Sequence, residues 1–128
     1  GDDMLVTKIH TIIGKGNGQL LNIQPTLKIT KGDKFFRIEM TNNNSSINTF
    51  LQFKIKPINP ENIKNFKKPF ESFKCWENDQ AFKPYQYLIL MLNDDKKSFT
   101  LIGGDDKTNA GIRMIIKKEE FIRAITTL

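Results

Sequence analysis

The sequence is short of the residues on which many chemistries depend. Among 128 residues there is one cysteine, Cys75, one histidine, His10, and one tryptophan, Trp76. A lone cysteine closes no internal disulfide and supplies no multi-thiolate zinc site, which excludes disulfide-stapled scaffolds and thiolate zinc modules. A lone histidine, in a predicted strand with no carboxylates or thiols at ligand spacing, reads as structural or solvent-facing rather than as a metal ligand or general base. No apolar run approaches the ~18 residues of a membrane-spanning helix. The longest, Leu88 to Leu92, has the length of a buried strand. The opening Gly-Asp-Asp-Met-Leu-Val lacks the basic stretch and apolar run of a secretory signal, so a complete chain is expected to be cytoplasmic.

Catalytic motifs are missing too. The run Gly14-Lys15-Gly16-Asn17-Gly18 could offer amides to a phosphate, but it lacks phosphate-loop spacing and the trailing Lys-Ser/Thr pair, and reads as a flexible turn. Asp94-Asp95 and Asp105-Asp106 do not match a calcium loop, whose acidic residues are completed by a distant Glu. Cys75, beside Trp76 in a Phe-rich segment, reads as a small hydrophobe. The expectation is a non-enzymatic protein without cofactor or metal.

What the chain does contain is alternation. The length fits one domain over residues 1–128, and period-2 patterning dominates the first half. Phe36, Ile38 and Met40 share one face of a strand, and Leu51, Phe53 and Ile55 one face of the next. Leu5 to Ile13 and Leu20 to Thr30 read as two earlier strands joined by the glycine turn, with Pro25 marking an edge or a bulge. Asn59-Pro60-Glu61 has the order of a helix start, an N-cap followed by proline and an acid, with Ile63 and Phe66 facing the sheet. Pro69 ends or kinks that helix, and residues 70–84 are the least regular stretch. Tyr85 to Leu92, Lys97 to Ile102 and Gly111 to Lys117 read as strands, with a loop over residues 103–109. A short amphipathic helix, Glu119 to Leu128, closes the chain. The fold class is therefore α+β, mainly antiparallel β-sheet with two short helices, one central and one C-terminal, in which the order strand-strand-helix occurs twice, either as a pseudo-repeat or as a chance likeness of short strands and loops.

Charge gives the first functional lead. Twenty Lys and Arg against fourteen Asp and Glu leave a net charge of +6. If the apolar strand faces cover the two helices, the opposite face carries Lys8, His10, Lys28, Arg37, Lys54, Lys56, Arg113 and Lys117. Phe35, Phe50, Tyr85 and Tyr87 share it. Cations neutralise phosphates and release counterions, and exposed rings stack on unpaired bases, so such a face suits a single strand of nucleic acid. The blander alternative is that lysines on a surface are simply solvated.

The stretch Gly111-Ile112-Arg113-Met114-Ile115-Ile116-Lys117-Lys118-Glu119-Glu120-Phe121 resembles the last strand and following helix of the Whirly and Pur families of single-strand nucleic-acid-binding proteins. The resemblance implies antiparallel strands followed by a helix, twice per unit, with nucleic acid on the curved sheet. By it, Arg37, Lys54, Lys56, Arg113 and Lys117 would contact phosphate, and Phe35, Phe50 and Tyr87 would stack on bases. A second likeness competes: about seven strands with one C-terminal helix also resembles a pleckstrin-homology-like domain, a protein- or phosphoinositide-binding module with its ligand near Lys8, Lys15 and Lys28. A β-sandwich interaction domain of a secreted or envelope protein is the third option. Protein, anionic lipid and a homo-oligomeric partner thus stand beside single-stranded nucleic acid as expected partners. An exposed apolar patch or unpaired strand edge would favour the protein-binding options.

Overall fold

The computed structural model describes residues 8–16, 24–43, 48–78 and 81–127. Leu5 to Thr7 and Leu20 to Ile23 of the expected first strands, Asn17-Gly18 of the glycine turn and the terminal Leu128 lie outside them. Nine strands and two helices are found among the described residues. They are β1 (Lys8–Ile13), β2 (Lys15–Gly16), β3 (Gln24–Lys31), β4 (Phe36–Asn43), β5 (Asn48–Ile55), α1 (Pro60–Lys64), β6 (Phe70–Phe73), β7 (Gln86–Leu92), β8 (Ser98–Asp105), β9 (Ala110–Lys117) and α2 (Lys118–Thr126). All pairings between strands are antiparallel, in a four-stranded sheet ordered β1-β3-β4-β5 and a five-stranded sheet ordered β2-β9-β8-β7-β6.

Alternation decides how these sheets meet. Leu27 and Ile29 on β3, Ile38 and Met40 on β4, and Leu51, Phe53 and Ile55 on β5 are buried. So are Leu88 and Leu90 on β7, Phe99 and Leu101 on β8, and Ile112, Met114 and Ile116 on β9, and both sets belong to one core cluster. The apolar faces therefore pack on each other as a sandwich and not on two helices, as the single-face expectation required. The helices instead lie together, with α2 touching β1 and β3 of one sheet and β8 and β9 of the other. The ring of Phe99 links them to the core, edge-on to Phe66 at 6.3 Å and to Phe121 at 5.8 Å.

Local chemistry sets the helix ends. Asn59 caps α1 by accepting the Glu61 N–H at 3.0 Å, with Pro60 at the first helical position and Ile63 and Phe66 buried, as the sequence predicts. The C-terminal end of α2 is held from outside: the buried Lys31 ammonium donates to the carbonyls of Ile125 at 2.8 Å and Thr127 at 2.9 Å. These carbonyls lack helical partners and carry the negative end of the helix dipole.

Three expectations are corrected. Gly14 to Gly16 is no hairpin turn: the Gly14 N–H bonds the Pro25 carbonyl at 3.0 Å to finish the β1 ladder, and β2 then pairs with β9 in the other sheet. A Cβ at Gly14 would stand 2.6 Å from Met114 Cε and 2.8 Å from the Ile115 carbonyl, so only glycine lets the chain cross here. Pro25 lies in an inner strand, at its second residue, where its pairing with Asn42 falls beyond the end of β1. Gly103 and Gly104 belong to β8 and not to a loop, paired with β7 and β9 on either side, and only glycine fits there, since a Cβ at Gly103 would meet Met40 and Phe53 and one at Gly104 would occupy the Tyr87 ring.

Candidate nucleic-acid interface

The outer face of the four-stranded sheet follows from register. Arg37 on β4 stands opposite Lys54 on β5, Glu39 lies between Lys28 on β3 and Gln52 on β5, and Phe50 lies opposite Thr41. Lys28 is exposed, and Phe50, 57% exposed, stands out into solvent at one end of β5. Phe35 sits in the turn that leads from β3 to β4 and is buried; the Lys54 ammonium lies 4.5 Å from its ring centroid. The expectation that Phe35 stacks on a base is corrected by this burial: the ring supports Lys54 from below.

The edge of β5 is not bare. After β6 the chain leaves the five-stranded sheet, and the Trp76 N–H bonds the Lys54 carbonyl at 2.8 Å. Trp76 then bridges to Phe82, their rings tilted at 5.7 Å, and the Lys83 N–H bonds the Cys75 carbonyl at 2.9 Å. The stretch read as least regular thus holds β6 and, after it, the Trp76–Phe82 bridge, which forms a wall beside β5. Lys56, just past β5, holds its ammonium 5.7 Å from the Trp76 ring centroid, and Lys107 sits 3.9 Å from that of Tyr85.

Between this wall and the sheet runs a groove of about 550 Å³. Arg37, Lys54 and Lys83 bring cations to it, Phe50 and Trp76 bring rings, and Glu77 and Asp105 bring two carboxylates. Gln86 ties the floor together, its Nε2 donating to Asp105 at 3.3 Å and to the Gln52 carbonyl at 3.5 Å, while its buried Oε1 has no hydrogen-bond partner among the described residues. Cys75 behind the groove is buried, and that burial pushes its thiol up to about 11 against the opposing pull of the Lys83 ammonium. It is unsuited to act as a nucleophile.

Other expected site residues fall elsewhere. Arg113 and Lys117 are exposed on β9 and Tyr87 lies on the outer face of β7, so these three are on the far side of the sandwich from Arg37 and Lys54. The one basic face is in fact two, because the apolar faces of the two sheets meet each other. His10 and Ile12 are in the inward phase of β1, and the backbone of Lys8 pairs with Lys31 in that same phase, out of step with Lys28. The cations expected around the first hairpin do not converge either, since Lys15 belongs to one sheet and Lys28 to the other. Sequence reasoning missed Trp76, Phe82 and Lys83. Their signal was present as rings and lysines interleaved over residues 74–83, the pattern used to read Phe50 and Lys54.

No cluster of histidine, cysteine and carboxylate side chains able to hold a metal occurs among the described residues, and no helix there is long and apolar enough to cross a membrane. No protein-family model, curated protein or solved structure matches the chain.

Proposed function

We propose that the protein binds single-stranded nucleic acid along the groove beside β5. The observation that carries this reading is the convergence, on one groove, of Arg37, Lys54 and Lys83 with the exposed Phe50 and with Trp76. Cations supply the salt-sensitive, sequence-independent part of binding, and rings supply stacking that a duplex, with its bases already stacked, cannot accept. Arg37 and Lys54 are fixed side by side by the β4–β5 register, and Lys54 is braced by Phe35, so little order has to be gained on binding. Fluorescence-anisotropy titration of a labelled mixed-sequence 12-mer and of its duplex tests the proposal. Salt-sensitive binding that prefers the single strand supports it, and absence of binding at 50 mM salt refutes it.

A second reading rests on the opposite side. The outward strand positions of the five-stranded sheet hold Ile89, Met91, Ile102 and Ile115 with Arg113 and Lys117 beside them, and no carboxylate among the described residues. An apolar centre with a purely cationic border complements an anionic lipid surface. Co-sedimentation with phosphatidylserine-containing vesicles, but not with phosphatidylcholine alone, supports that reading.

A further inference from the structure

A second cleft, of about 390 Å³, opens between the end of β5 with the start of α1 on one side and β6 with residues 74–76 on the other. Its size falls in the range of small-molecule sites, about 300–1,000 Å³. It is separate from the phosphate-binding groove except at one residue: Trp76 lines both. Three features give this cleft a chemical character. Its floor is apolar, formed in part by the buried Ile55 and Ile58. The indole Nε1 of Trp76 is buried with no hydrogen-bond partner among the described residues, so this side of the ring carries an unsatisfied donor. The rim holds both kinds of hydrogen-bonding group: the Asn59 Oδ1 is engaged in capping α1, while Asn62 and Ser72 offer donors and acceptors beside the charged Lys56, Lys74 and Glu71.

A flat apolar body with mixed donors and acceptors along its edge is what such a cleft accommodates, and an unpaired nucleobase has that form. Resting on the single-strand reading above, we propose that one base of the bound strand turns out of the groove at Trp76 and enters this cleft. It stacks on the indole, while the neighbouring phosphates stay with the cations of the groove. The Lys56 ammonium, now over the Trp76 ring, is close enough to move to the phosphate of the inserted nucleotide and uncover the ring for the base. Trp76 is therefore the turning point, and Asn62 is the residue on α1 that reads the edge of the base.

Because Trp76 is the only tryptophan, its emission reports on the site directly. The full chain is titrated with labelled oligothymidylate 12-mer and with an abasic backbone of equal length, following anisotropy and Trp76 emission together. The wild-type protein is expected to bind the thymidylate about a hundredfold more tightly than the abasic strand, about tenfold for each of two stacked bases, one on Phe50 and one in the cleft, with emission quenched in step. Asn62→Phe, at an exposed helix position, fills the cleft from its rim, and is expected to abolish the quenching and weaken thymidylate binding about tenfold while leaving the affinity for the abasic strand unchanged. Binding with unchanged emission, or quenching and affinity that survive in Asn62→Phe, overturns base insertion while the single-strand reading stands. No anisotropy change with either strand refutes that reading, and base insertion with it.

Discussion

The division of cations between two sheets makes a quantitative prediction. Removing charge from the groove with Arg37→Gln and Lys54→Gln should change the salt dependence of single-strand binding, whereas Arg113→Gln and Lys117→Gln, on the far side, should not. Three cations line the groove, Arg37, Lys54 and Lys83, and Lys56 over the ring of its Trp76 makes a fourth. If each neutralises one phosphate, log Kobs falls with log[salt] with a slope of about −0.7 per contact, or about −2.8 in total. Raising salt fourfold, from 50 to 200 mM, then weakens wild-type binding about 50-fold. The double groove variant keeps two contacts, a slope of about −1.4, and weakens only about 7-fold over the same change. The Lys54 substitution also removes the ammonium over Phe35, a cation–π contact worth about 0.5–1 kcal/mol at an exposed site, too little to unfold the domain. Anisotropy titrations of the three proteins at four salt concentrations measure the slopes, and a thermal melt of each verifies the fold. An unchanged slope in the groove variant, or an equal flattening in the Arg113/Lys117 variant, would refute the assignment of phosphate contacts to this side.

Phe50→Ala should weaken single-strand binding about tenfold with the salt slope intact, since a stacked base contributes ~1–3 kcal/mol without moving counterions; a changed slope in the same titration would contradict a stacking role. Lys31→Met should destabilise the fold by about 2 kcal/mol, by leaving the Ile125 carbonyl without its donor and the helix end without its cation, offset in part by relief of ammonium desolvation. The corresponding fall in Tm is about 6–10 °C, and a variant as stable as wild type in urea and thermal unfolding would show that the cap contributes nothing net. Native Cys75 should resist a disulfide-exchange reagent at pH 8, where a thiol near 11 is about one part in a thousand ionised, and react on unfolding in urea. Because its folded value is raised above the ordinary 9.0, the stability tied to its proton is fully present below pH 9 and is lost as pH rises through about 11. Rapid native labelling would refute the burial.

Alternation made the strands and the buried positions legible, and the Asn59-Pro60-Glu61 signal made α1 legible, because both are local consequences of pleat and capping. The two sheets were not, since period 2 tells which residues share a face and not what that face meets. Lys54 and Arg113 have the same outward phase in their own strands, yet the sandwich sends them to opposite sides. Gly103-Gly104 reads as a loop for a similar reason. What calls for glycine within β8 is the volume of the Tyr87 and Phe53 rings, a long-range property that the local sequence does not carry. Phe35 looks like its neighbours in composition, and only its place in the turn before β4 buries it.

The groove owes its existence to how the chain passes between sheets. At one side of the sandwich the crossing is at Gly14, where β1 gives way to β2 with the backbone pressed against Met114 and Ile115, too close to leave a cleft. At the other side the crossing is made after β6 by residues 74–76, which reach β5 through one hydrogen bond, from Trp76 to Lys54, and then turn back through the Trp76–Phe82 bridge. The crossing built on glycine closes its edge, whereas beside the one built on tryptophan a groove remains, lined in part by the indole. Space beside β5 therefore arises where the bulky rings are, and the β4–β5 register places Arg37 and Lys54 along it. Cations and rings meet on this side because the residue that the chain brings to the β5 edge is itself aromatic, and this ties the single-strand reading to the fold as well as to the net charge.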